Sequence, residues 1–228
     1  MINDLKLGFK IMKYGHSVKL SIIGSIAMAV LGLVFCAIGI TTTSSFLGGY
    51  LLMMSALLLL QLISTVNAAN LVQTSPMKKR LQTSVPAIFS IFLMLTAYLL
   101  NVAVVAVAVC ANPEAVEFFC TLIMCTAVLT GVIMLYYGAV YKYFVASTVI
   151  FFIIFIFIYP SVISGDINDE LYWNFMPFAG YWENFALTVV IGLAIILVCG
   201  VLQYLISLAV YKAPISKLAL GARLRSQL

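Results

Sequence analysis

The sequence predicts an all-α integral membrane protein with six transmembrane helices, an N-terminal amphipathic helix at the membrane interface, and both termini in the cytoplasm. Three observations support this fold class. The 228 residues are 64% hydrophobic and only 8% charged, whereas soluble domains carry about 25% charged residues. Six apolar runs of spanning length account for most of the chain. The segments between these runs alternate between basic and acidic.

The N-terminal segment, residues 2–16, is too charged to cross a membrane. On a helix, Lys6, Lys10 and Lys13 form a narrow basic stripe with Phe9 beside it. Such a helix suits the headgroup layer, where its lysines reach anionic lipid. The apolar run that follows has spanning length and no clear cleavage site, so we expect no cleavable leader. The segment is therefore predicted to be an interfacial helix.

Six apolar runs follow, and the first is rich in small residues. Ser21, Ser25 and Ala29 recur at four-residue spacing, which lets helices approach closely in lipid. This span is therefore expected to pack against another helix. The predicted spans cover residues 18–40, 46–66, 85–109, 118–141, 144–163 and 185–211.

A short polar segment, residues 70–84, separates the second span from the third and holds a cluster of consecutive basic residues. Ser75 and Pro76 form a helix-start signal, because serine can cap a helix and proline is tolerated at its first position. We predict a short cytoplasmic helix that docks into another protein. A loop that only obeys the positive-inside rule is the alternative. The candidate docking residues are Ser75, Pro76, Met77, Lys78, Lys79, Arg80 and Leu81.

The segment at 165–184 is acidic at its start and then rich in aromatic residues, including both tryptophans. Trp and Tyr favour the membrane interface, so we expect short helices in the outer leaflet, broken near Pro177 and Gly180. The acidic group lacks the full spacing of a calcium loop, which favours a solvated turn. The candidate residues here are Asp166, Asp169, Glu170, Trp173, Phe175, Pro177 and Trp182.

The distribution of charge predicts the orientation. With a cytoplasmic N-terminus, all 12 Lys and Arg residues fall in inside segments, as the positive-inside rule requires. The inside residues are Lys6, Lys10, Lys13, Lys19, Lys78, Lys79, Arg80, Lys142, Lys212, Lys217, Arg223 and Arg225. The outside segments hold Glu114, Glu117, Asp166, Asp169, Glu170 and Glu183.

The spans lack the side chains that chemistry or ion coupling would need. No Asp, Glu, Lys, Arg or His lies deep within a predicted span, which argues against a proton-driven transporter. The lone histidine, His16, is expected to be structural or lipid-facing. The sequence has no glycine-rich phosphate loop, so we predict neither an enzyme nor a cofactor in this chain. The net charge of +5 follows from the topology and does not predict a nucleic-acid partner.

The cysteines and the polar residues of the spans leave alternatives open. The five cysteines form no CxxC pair and no Cys/His cluster, so no metal site is expected. Cys110 and Cys120 flank one outer turn, and they are either a disulfide or two thiols.

Polar side chains within spans either line a path for cargo or form hydrogen bonds between helices. These residues are Gln61, Asn101 and Gln203, together with Ser55, Ser64 and Thr96.

In its order of elements the whole chain resembles the ABC type-2 permeases, the membrane subunits of bacterial ATP-driven exporters with six spans and short loops. The shared features are the interfacial helix, the basic helix between spans two and three, and the long outer segment between spans five and six. Residues 75–80, Ser-Pro-Met-Lys-Lys-Arg, resemble the family's pattern at the entry to the third span.

The resemblance implies a fold like that of type V ABC exporters and a location in the bacterial cytoplasmic membrane. Residues 70–84 would hold a coupling helix seated in a separate cytoplasmic ATPase, present in two copies, which binds ATP and Mg. A second permease chain, a homodimer partner, would pair through spans one and five. Residues 165–184 would form the outer gate, and the cargo would be a hydrophobic or amphipathic substrate such as an antimicrobial peptide or a drug.

Two other classes of function compete with this interpretation. A self-sufficient channel or ion-coupled transporter would carry cargo without an ATPase. A membrane scaffold would bind partners without flux. Dependence on a nucleotide-binding partner separates the exporter from both.

Overall fold

A computed structural model describes residues 2–12, 18–42, 46–67, 72, 74–140, 142–143, 145–151, 153 and 184–213. Every regular element in these ranges is helical. The α-helices are α1 (Ile2–Met12), α2 (Val18–Thr42), α3 (Phe46–Asn67), α4 (Lys78–Gln82), α5 (Ser84–Ala111), α6 (Val116–Ala139) and α7 (Phe185–Ala209). A short 3₁₀ turn, Pro113–Ala115, joins α5 to α6.

The coarse prediction of an all-helical membrane protein is confirmed. Within the described ranges, four stretches are long and apolar enough to cross a bilayer: Val18–Ile38, Lys78–Ala111, Pro113–Ala139 and Phe185–Ala209. Residues Gly48–Ile63 of α3 form a shorter apolar helix. Residues 145–151 are helical, but the rest of the predicted fifth span and all of the predicted outer segment, 165–184, lie outside the described residues.

Helix α5 is the centre of the arrangement, since it contacts α1, α2, α3, α4, α6 and α7. Of the four spanning stretches, the one that contains α6 is the most enclosed. Its most apolar part is 78% buried, against 17% for that of α2 and 22% for that of α7. The exposed surfaces of α2 and α7 consist of large aliphatic side chains, for example Leu20, Ile23, Val190 and Val198. These two helices therefore form the apolar periphery that a bilayer or a further span would cover.

Small residues set the closest helix contacts. A Cβ on Gly48 of α3 would lie 2.6 Å from the backbone nitrogen of Cys36 on α2. About two turns further along α3, the Ser55 carbonyl accepts a 2.8 Å hydrogen bond from the Ser25 hydroxyl of α2. Gly192 of α7 likewise leaves the space that the Tyr98 side chain of α5 occupies. The small residues of the first span thus pack α2 against α3 within this chain, since Gly and Ser allow backbones to approach closely.

The two ends of the bundle differ in charge. Helix α5 has 28 residues, so its ends are about 42 Å apart. The acidic turn with Glu114 and Glu117 follows its C-terminal end. At its N-terminal end lie the basic helix α4 and, held against it, α1. We call these the acidic end and the basic end.

Candidate functional site

The basic segment before α5 folds as a turn followed by a very short helix. The Met77 N–H donates to the Ser75 hydroxyl at 3.2 Å, and the Lys78 N–H donates to the Ser75 carbonyl at 3.0 Å. Because the serine hydroxyl is used inside this turn, it does not cap a helix. Helix α4 therefore begins at Lys78, two residues later than the predicted start at Pro76, and ends at Gln82.

One side of this segment is fixed to the protein. Val72, Leu81 and Val85 form a buried apolar cluster, and Leu7 of α1 packs against it. Leu81, predicted as part of the docking surface, is 7% exposed. It is therefore an anchor that holds α4 to the bundle.

The opposite side of the segment is exposed. Pro76, Met77, Lys79 and Arg80 are all exposed, and the Met77 side chain is 41% exposed. Ser75 and Lys78 are partly buried. We call the exposed set of Pro76, Met77, Lys79 and Arg80 the basic platform. A flexible thioether next to cations can contact an apolar pocket with an acidic rim.

An ion pair joins the basic platform to the N-terminal helix. The Nε of Arg80 donates to Oδ1 of Asp4 at 2.5 Å, and the Asp4 side chain is only 11% exposed. Asp4 was missed by reasoning from sequence. A signal was present, because Asp4 is the one acidic residue among the segments predicted to lie inside.

Helix α1 is held further along its length by aromatic contacts. The Phe9 ring meets the rings of Phe89 at 5.0 Å and Phe92 at 6.3 Å between centroids. Gly8 allows this approach, because a Cβ there would lie 3.0 Å from the Phe89 ring. Lys6 and Lys10 are exposed, while Lys13 lies outside the described residues. Of the predicted interfacial residues that are described, Phe9 thus contacts α5.

Two later segments also reach the basic end. Lys142 follows α6, and its Nζ donates a 2.6 Å hydrogen bond to the Ala213 carbonyl beyond α7. The residue is 5% exposed. Burial, together with the positive charge of Lys78, lowers the pKa of Lys142 below its usual value. The turn after α6, the end of α7 and helix α4 therefore converge in one place.

The polar residues predicted within the spans have different surroundings where the structure describes their side chains. Asn101 is buried, and its Nδ2 donates to the Thr126 hydroxyl at 3.3 Å. Gln203 is buried near the basic end, with no hydrogen-bond partner for its Oε1, whereas Gln61 is exposed. An apolar cavity of about 210 Å³ lies elsewhere, lined by Val132, Leu135, Tyr136, Ala139, Ser147, Ile150 and Phe151.

Two remaining sequence predictions concern cysteines and metals. All five cysteines lie among the described residues, and none of them is in a disulfide; Cys110 is exposed and Cys120 is buried. Within the described ranges, no group of His, Cys, Asp or Glu has the arrangement of a metal site.

Comparison of the chain with protein-family models, with curated proteins and with solved structures finds no match.

Proposed function

We propose that this chain is the membrane-spanning permease subunit of an ATP-driven exporter of the ABC type-2 kind. In this proposal it has six spans, with both termini in the cytoplasm of a bacterium. Two cytoplasmic ATPase subunits bind ATP and Mg and power a pair of identical permease chains. The cargo is a hydrophobic or amphipathic molecule, such as an antimicrobial peptide or a drug, and it leaves past residues 165–184.

The observation that carries the proposal is the basic platform, which is exposed on one side and anchored on the other. A surface that transmits motion must contact its partner and must also be tied firmly to the helices that move. Met77 and Lys79 are available for contact, while Leu81 is buried in the cluster shared with α1 and α5. The Arg80–Asp4 pair adds a second tie. A push on the platform would therefore be delivered to α5, which contacts the six other labelled α-helices.

The charge of the bundle supports the proposed orientation. Basic residues of α1, α4 and Lys142 come together at one end, and Glu114 and Glu117 lie at the other. Positive residues favour the cytoplasmic side of a membrane. The basic platform consequently faces the compartment where ATP is found.

The test is a co-purification in which the variants spare the anchors. Met77→Ala combined with Lys79→Ala removes exposed contacts and leaves Leu81 and Arg80 in place. The matched control, Lys19→Ala with Leu20→Ala, changes an exposed basic residue and its apolar neighbour on α2. The chains are purified in mild detergent from native membranes, and the eluates are assayed for ATPase activity and sequenced for a phosphate-loop protein.

We expect an ATPase to accompany the wild type and the control but not the platform variant. An ATPase retained equally by all three chains would contradict the role of the platform. Its absence from all three would contradict the exporter, and cargo flux into vesicles containing the chain alone would then support a channel or ion-coupled transporter.

A further inference from the structure

Helix α1 has two sides with different surroundings. Asp4, Leu7 and Gly8 face the bundle, where they meet Arg80, the Val72 cluster and Phe89 respectively. Lys6 and Lys10 are exposed away from these contacts, and Phe9 is exposed while its ring contacts Phe89 and Phe92. Lys6 and Lys10 are four residues apart, so their backbones are separated by about 6 Å along the helix axis.

The exposed side carries the two positive charges of Lys6 and Lys10. Asp4 is the one acidic residue of α1, and its carboxylate accepts the hydrogen bond from Arg80 at 2.5 Å. An ammonium group binds a phosphate oxygen through a charge-assisted hydrogen bond, and two ammonium groups one turn apart can share one phosphate.

An apolar surface adjoins these lysines. Phe9 is 47% exposed and Phe92 is 42% exposed, and their rings are in edge contact. Phe92 lies eight residues into α5, which is about 12 Å from the start of that helix. The two rings thus join the outer surface of a spanning helix to α1, the helix that carries the lysines.

We propose that Lys6, Lys10, Phe9 and Phe92 form a binding site for one anionic phospholipid. Lys6 and Lys10 hold its phosphate, and an acyl chain lies along Phe9 and Phe92. A basic surface at the cytoplasmic edge of a membrane protein is suited to such lipids. The site goes beyond the proposed function, because it requires neither an ATPase nor cargo. It also places a lipid on the helix that Arg80 ties to the basic platform.

The experiment uses the purified full-length chain in a neutral detergent. It is titrated separately with short-chain phosphatidylglycerol, short-chain phosphatidylcholine and inorganic phosphate, and bound molecules are counted by native mass spectrometry. The test variant is Lys6→Gln with Lys10→Gln. Lys6→Arg with Lys10→Arg keeps the charge, and Lys19→Gln with Lys212→Gln removes two exposed lysines from other elements.

We expect one tightly bound phosphatidylglycerol in the wild type, the arginine variant and the Lys19/Lys212 control. The Lys6/Lys10 glutamine variant should bind it roughly 30-fold more weakly. Equal binding by the glutamine variant and the control would overturn the site. Equal binding of phosphatidylcholine would contradict selectivity for an anionic headgroup. Equal binding of inorganic phosphate would contradict a contribution from the acyl chain.

Discussion

The guanidinium of Arg80 holds the first helix of the chain to the segment that precedes α5. Its Nε donates a 2.5 Å hydrogen bond to Oδ1 of Asp4, across 76 residues of sequence. The two side chains are unequally exposed, at 45% for Arg80 and 11% for Asp4. The carboxylate therefore depends on its partner more than the guanidinium does, since a mostly buried charge is costly when it is unpaired.

Loss of Arg80 should destabilise the protein and release α1. Arg80→Gln removes this partner from the mostly buried Asp4 carboxylate, which we expect to cost about 1–3 kcal/mol. Asp4→Asn combined with Arg80→Gln should recover part of this loss, with a coupling energy of about 1 kcal/mol. Thermal unfolding in detergent measures the stability, and hydrogen exchange of the α1 amides measures its release.

The control for this cycle is Lys79→Gln, which changes the exposed neighbour of Arg80. It should leave both the unfolding temperature and the exchange of α1 unchanged. A zero coupling energy between Asp4 and Arg80 would contradict a stabilising role for this ion pair.

Gly48 should be intolerant of even a methyl group. A Cβ at this position would lie 2.6 Å from the Cys36 nitrogen and 2.9 Å from its Cα, and backbone atoms cannot move aside as a side chain can. Gly48→Ala should therefore separate α2 from α3 and lower the stability by about 1–3 kcal/mol. The unfolding temperature of the purified chain checks this.

A matched substitution in the same helix pair should be harmless. At Gly24 of α2, a Cβ would meet a Leu58 methyl at 3.6 Å, which is ordinary contact. Gly24→Ala should leave the unfolding temperature unchanged or raise it slightly, because alanine favours helix. Similar losses for the two variants would show that crowding at Gly48 is not the cause.

Asn101 should contribute to stability through a bond between helices. Its Nδ2 donates to the Thr126 hydroxyl of α6, and Gly49 of α3 leaves room for its amide, since a Cβ there would lie 2.9 Å from Oδ1. Asn101→Ala should cost about 0.6–1.7 kcal/mol, the range for such bonds in membranes. A double-mutant cycle with Thr126→Val, read by thermal unfolding, measures the pair. Additive losses would contradict a direct bond.

Lys142 should give the stability a pH dependence. Because its pKa is lowered in the folded protein, the unfolded chain binds more protons between that lowered value and the ordinary lysine pKa. Stability should therefore rise with pH through this interval and be lowest where Lys142 is fully charged. Lys142→Met should remove that rise, whereas the control Lys212→Met, which changes an exposed lysine, should keep it. Unfolding temperatures measured from pH 7 to pH 10.5 provide the comparison; parallel curves for the wild type and Lys142→Met would contradict the buried charge.

The amino-acid sequence by itself determined the membrane class, the helical fold and the segregation of charge. These follow from local chemistry, because apolar runs of spanning length have few alternatives to helices in lipid. Helices α2, α3, α5, α6 and α7 accordingly lie within a few residues of the predicted spans. The basic segment was also identified in advance, although the start of its helix was placed at Pro76 instead of Lys78.

Only the tertiary structure decided which residues meet. Nothing in the spacing of Asp4 and Arg80 indicates that they form a pair. Met77 and Leu81 flank the same three basic residues, and nothing in the sequence shows that Leu81 is buried and Met77 exposed. Asn101, Gln61 and Gln203 look alike in sequence, yet one bonds across helices, one is exposed, and one is buried with its carbonyl oxygen unpaired. Such differences arise from the packing of distant helices, since a side chain's burial and its partners depend on neighbours that its own segment does not contain.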